Sequence, residues 1–72
     1  MTYHEYDHIK LIKEVPNIPI QVGTFGTIVL AYYFHSKGSE DYEIEFFDEN
    51  FESLNCYTIN SSNFIIVKKN TD

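Results

Sequence analysis

Tyr42-Glu43-Ile44-Glu45-Phe46 decides the fold of this 72-residue chain. Apolar and acidic side chains alternate along it, and a strand sends successive side chains to opposite faces. The alternation predicts a strand over Tyr42–Phe47 with Glu43 and Glu45 pointing out together. Glu40, Asp41, Asp48, Glu49 and Glu52 extend the acidic character, so seven acids and no basic residue lie between Gly38 and Asn55. A strand with such flanks concentrates a negative field on one side of a small protein, which attracts basic partners and repels nucleic acid.

Working outward, Ser36-Lys37-Gly38-Ser39 reads as a turn. It joins the acidic strand to a preceding one over Thr27–Phe34, which is rich in β-branched and aromatic residues. One face of that strand carries Thr27, Val29, Ala31 and Tyr33, and the other Ile28, Leu30, Tyr32 and Phe34. Both faces are largely apolar, which predicts a central position in the core. Gly23-Thr24-Phe25-Gly26 reads as a turn or bulge leading in. Pro16 to Val22 reads as an extended loop, because each proline fixes its own φ and disfavours helix before it. Between His8 and Val15 the spacing of Ile9 and Leu11 suggests a first strand; Pro16 and Pro19 would close the alternative, a helix, after few turns.

Beyond Phe47, Asp48-Glu49-Asn50 is a polar turn in which Asn is suited to positive φ. A fourth strand is expected over Ser53–Ile59. Asn60-Ser61-Ser62-Asn63 predicts a turn with a short 3-10 piece, Phe64–Val67 a fifth strand, and Lys68–Asp72 a polar tail. Five short strands separated by turn signals predict an all-β small barrel or sandwich in a single domain, 1–72, with its barrel over about 6–67.

Composition agrees with a folded binding protein. Apolar residues make up 43% of the chain, with six Tyr and six Phe, enough for a core and too many for a disordered acidic tail. The formal net charge is −6. The single cysteine, Cys56, sits in an apolar-leaning run and is expected to be a buried small hydrophobe, in keeping with a reducing, cytoplasmic compartment. No signal-peptide pattern and no run long enough for a membrane span is present.

Tyr6-Asp7-His8-Ile9-Lys10-Leu11, Pro16, Val22-Gly23-Thr24-Phe25-Gly26-Thr27-Ile28-Val29 and Tyr42-Glu43-Ile44-Glu45-Phe46 together resemble domain-of-unknown-function family 4926, a bacterial family of small proteins. The resemblance covers Tyr6 to Val67 and implies an SH3-like barrel of five strands. It further implies a stand-alone protein, of which some relatives sit in toxin–immunity neighbourhoods, with no catalytic residues to carry over. The chain departs from the family where members usually have Gly after the acidic turn: Asn50 and Phe51 occupy that region. The Gly-x-x-Gly-x-Ile run is also similar to small barrels of translation and transcription factors that touch RNA, but those display basic residues, and an acidic face opposes phosphate contact.

No coherent catalytic set emerges. Glu43 and Glu45 have a carboxylate spacing of roughly 6–7 Å in a strand, but an alternating acidic face is ordinarily the wet side of a sheet. His4 and His8 would share a metal only on a helix, and the segment reads as extended. His35 reads as a solvated turn residue. Gly23-x-x-Gly26 lacks the Lys-Ser/Thr end of a phosphate loop. No cofactor and no metal are expected. The aromatic residues are too numerous for all to be buried, and Tyr33, Tyr42, Phe47 and Phe51, framed by acids, are expected at the surface as interface anchors. The candidate partner-binding set is therefore Tyr33, Glu40, Asp41, Tyr42, Glu43, Glu45, Phe47, Asp48, Glu49, Phe51 and Glu52. The expected function is that of an immunity protein or antitoxin that occludes a basic, nuclease-type toxin. The alternative is a regulatory or adaptor module, self-associating, with no toxin partner. Neither reading involves nucleic acid or membrane.

Overall fold

The computed structural model describes residues 3–32 and 40–70, with backbone alone at 31 and 32. The expected turn at Ser36–Ser39, His35, the end of the second strand and Tyr33 lie outside the described residues. Five strands form one antiparallel sheet: β1 (His8–Leu11), β2 (Phe25–Tyr32), β3 (Asp41–Phe47), β4 (Ser53–Asn60) and β5 (Phe64–Lys68). Their order is β4-β3-β2-β1-β5. The chain therefore meanders through four strands and then returns β5 to the far side of β1, which curls the sheet into an SH3-like small barrel. A 3-10 helix, Ser61–Asn63, makes that return. Asn60 caps it, its side-chain oxygen accepting from the Ser62 amide at 3.0 Å and the Ser62 hydroxyl at 2.8 Å. The Asn63 carbonyl then accepts from the Ile12 amide at 2.8 Å, tying the return to the end of β1.

The core is the inner face of this sheet. Ile9, Leu11, Ile20, Ile28, Tyr42, Ile44, Phe46, Ile59 and Phe64 are buried there. Each large apolar side chain contributes about 1.5–3 kcal/mol on burial. Gly26 permits β2 and β3 to approach: a Cβ there would lie 2.7 Å from Ile44 Cγ2 and 2.9 Å from the Glu45 carbonyl. Tyr3, Tyr42 and Phe64 form an aromatic triangle with ring centroids 5.2–5.8 Å apart.

Asp7 is the buried charged residue among those described. Its carboxylate accepts from the His4 amide at 3.0 Å and the Asn70 amide at 2.7 Å, and pairs with Lys69 at 3.5 Å. Burial alone would raise its pKa. The two amides and the Lys69 charge outweigh that and hold it below its ordinary value. One carboxylate thus joins the approach to β1 with the stretch that follows β5.

Two expectations about the sheet are corrected. The first strand, expected from the spacing of Ile9 and Leu11, spans His8–Leu11, but the second begins at Phe25 and not at Thr27, so the Gly23–Gly26 run is partly strand. β2 is central in the sheet, but it does not keep one alternation. The β2–β3 register shifts between Ile28 and Leu30, leaving Val29 as a bulge. Ile28 pairs with Ile44 inside, while Leu30 pairs with Glu43 and is exposed. The single extra residue sends Leu30 to the opposite face from Ile28.

Candidate functional site

The outer face of β3 is where the acidic stretch becomes geometry. Alternation puts Tyr42, Ile44 and Phe46 inside and Glu43, Glu45 and Phe47 outside, half-buried in the sheet surface. Cross-strand pairing extends these into rows. Cys56, Glu45, Thr27, His8 and Lys68 lie in one row across all five strands. Ser53, Phe47, Phe25, Lys10 and Ile65 lie in the next. Acids thus occupy β3, and lysines occupy β1 and β5. Among the described residues the one ion pair is Lys69–Asp7, so the acids from Glu40 to Glu52 meet no lysine there.

Several of these acids have a structural role. Glu40 accepts from the Tyr42 hydroxyl at 2.6 Å, Asp41 from Asn60 Nδ2 at 2.9 Å, and Glu43 from the Thr58 hydroxyl at 2.9 Å. Asp48 organises the β3–β4 turn: its Oδ1 accepts from the Asn50 amide at 2.8 Å and the Glu52 amide at 2.9 Å. Glu49 and Glu52 stand exposed on that turn.

Phe51 is the residue that the turn displays. Its φ is 62°, in the left-handed region that favours glycine. Asn50, the expected positive-φ residue, does not have it. Phe51 is also 86% exposed. A large aromatic side chain therefore stands in solvent at a position whose backbone is adverse for it.

One expected site residue, Tyr42, and one residue expected in the core, Cys56, need correction. Tyr42 is fully buried, because it shares the inner face with Ile44 and Phe46 and spends its hydroxyl on Glu40. It belongs to the core. Cys56 is exposed, not buried, because β4 is an edge strand and Cys56 shares the outer face with Glu45. Partial desolvation against the sheet raises its pKa, and the charges of Glu45 and then Glu43 push the same way. The thiol therefore stays protonated near neutrality and is a poor nucleophile.

The structure adds residues that the chain's pattern concealed. An open cleft of about 1310 Å³ runs between the β1–β2 loop and the β3–β4 turn. Its lining includes Val22, Phe25, Phe47, Phe51 and Leu54, with Asp48 and Glu49 at the turn. Phe25 is 56% exposed and Val22 55% exposed. Phe25 was concealed by reading Gly23–Gly26 as a turn; carrying the β2 alternation back from Ile28 through Gly26 sets Phe25 on the outer face. The Lys10 ammonium lies 5.9 Å from the centre of the Phe25 ring, so the cleft floor already holds a cation at its edge.

Fold and site together define a small all-β barrel with an acid-rimmed, aromatic-floored cleft on its outer face. The chain matches the family described as Domain of unknown function (DUF4926) over residues 5–66, and belongs to it. No curated protein and no solved structure matches the chain. Among the described residues no helix is long and apolar enough to cross a membrane, and no group of three or more His, Cys, Asp or Glu is placed to hold a metal ion.

Proposed function

We propose that this protein is a non-catalytic binding module whose acidic outer face docks a basic protein. In its most specific form it is a cytoplasmic immunity protein or antitoxin that covers the phosphate-binding surface of a nuclease-type toxin. The observation that carries this reading is the display of Phe51, exposed at a left-handed φ of 62° among Asp48, Glu49 and Glu52. Fold stability gives no reason to keep a phenylalanine there, whereas a desolvated aromatic anchor ringed by charge is what a protein interface uses. The acids on β3, which pair with no lysine among the described residues, add steering toward a cationic surface. The same charge opposes nucleic acid as partner.

The immobilised protein, exposed to extract from its native host and washed with rising salt, tests this. The expected result is a basic protein, eluted by salt, whose nuclease activity falls when the chain is added back in equal amount. A salt-eluted partner whose activity is untouched would contradict the immunity form and leave a regulatory or adaptor role.

A second reading has its own observation. Phe25, Leu30 and Ile65 are exposed on one sheet face that runs from β3 carboxylates to β1 and β5 lysines. Two copies facing each other would match these charges. Sedimentation at low salt decides it: a homodimer supports self-association, and a monomer opposes it.

A further inference from the structure

We infer that the cleft between the β1–β2 loop and the β3–β4 turn takes an arginine side chain of the partner, laid along its aromatic floor; this rests on the basic-partner reading and narrows it to one side-chain chemistry. The lining is amphipathic. Val22, Phe25, Phe47 and Phe51 supply apolar and ring surfaces, and Glu49 and Asp48 supply negative charge at the turn. An arginine matches both kinds of surface, with an apolar stem and a planar cation that stacks on rings and pairs with carboxylates. A purely aliphatic occupant would leave Glu49 facing apolar surface, and an acidic one would be repelled.

Three features of the cleft agree with this occupant. Lys10 already places a cation 5.9 Å from the centre of the Phe25 ring, at the outer limit of useful cation–ring contact. That cation reaches the ring from β1, whereas the turn lies at the β3 side. The turn itself is pre-organised, since Asp48 Oδ1 accepts two amides and the Phe51 amide donates to the Asp48 carbonyl at 3.0 Å. Phe51 is thus held as a wall before any partner arrives, which reduces the ordering cost of binding.

The test uses the pentapeptide acetyl-Gly-Arg-Ile-Arg-Gly-amide and its twin with citrulline in place of both arginines, which keeps the shape and removes the charge. Each is titrated at low ionic strength into the isotope-labelled full chain, and amide shifts are followed by NMR. The arginine peptide is expected to move the amides of Val22, Phe25, Phe47, Glu49 and Phe51. The citrulline twin should bind more weakly, and Phe51→Gly should lower the arginine peptide's affinity about 2–5-fold. Phe51→Gly relieves a strained backbone, so the variant remains folded. Shifts confined to the strand amides of Glu43 and Glu45 would overturn the cleft as the arginine site while leaving the basic-partner reading intact. Equal binding of the two peptides, or none at millimolar arginine peptide, would overturn both.

Discussion

The amide of Phe51 donates to the carbonyl of Asp48 at 3.0 Å, and this hydrogen bond closes the turn that holds Phe51 at a φ of 62°. Glycine suits that backbone and phenylalanine does not. Replacing Phe51 with Gly should therefore stabilise the fold by about 0.5–1 kcal/mol, after allowing for the freer unfolded chain. For a domain of this size that is a rise in Tm of roughly 2–8 °C. Thermal denaturation followed by circular dichroism measures it, and a fall in Tm would mean that Phe51 packs on the fold instead of facing solvent.

Asp7 makes stability depend on acid. Its folded pKa lies below the ordinary 3.8, so the charged carboxylate favours the folded state. That contribution is complete above the unfolded value and disappears as pH falls through the lower folded one. Asp7→Asn should cost about 1–2 kcal/mol at pH 7, where charge-assisted bonds to the His4 and Asn70 amides are weakened. Urea denaturation at pH 7 and below pH 4 should show the wild type losing its advantage over the variant in acid. A constant difference across that range would assign the effect to packing.

The two strand-entry glycines should fail differently. Gly26→Ala puts a methyl group 2.7 Å from Ile44 Cγ2 and 2.9 Å from the Glu45 carbonyl, and should cost about 1–3 kcal/mol. Gly23 has a φ of 96° with open space around it, so Gly23→Ala should cost about 1 kcal/mol through backbone alone. Paired with Ile44→Ala, which removes Cγ2, Gly26→Ala should show a favourable coupling and Gly23→Ala none. Denaturant midpoints for the singles and doubles check this.

Glu45 and Cys56 are cross-strand partners, and the carboxylate helps keep the thiol protonated. Glu45→Gln should lower the Cys56 pKa, and Glu43→Gln should lower it less. The pH profile of iodoacetamide labelling reports both. A profile unmoved by Glu45→Gln would leave desolvation as the whole cause.

Much of the fold was legible because one strand carries its own ruler. Glu43 and Glu45 pin the outer face of β3, and antiparallel pairing propagates that choice to Ile9, Ile28 and Ile59. Asn60-Ser61-Ser62-Asn63 likewise has the side chains that close a 3-10 turn. The missed features are ones that local pattern does not carry. The Val29 bulge is a property of the ladder between two strands, and it alone moves Leu30 outward. Tyr42 looked like an anchor by composition, but its parity with Ile44 puts it in the core. Cys56 faces solvent because its strand is an edge, which depends on β5 pairing with β1. The cleft was invisible for a similar reason: Val22, Phe25 and Phe51 lie on separate segments that meet only when the β1–β2 loop folds back over the sheet.

The outer acidic and aromatic surface is the proposed docking face for a basic protein. The most direct test compares capture of the host partner by wild type, by Glu43→Gln/Glu45→Gln and by Phe51→Gly at stepped salt concentrations. Slower association with a flatter salt dependence is expected for the double variant, and faster dissociation for Phe51→Gly. Capture of the same partner at unchanged rates by all three proteins would contradict this proposal and place the interface elsewhere on the barrel.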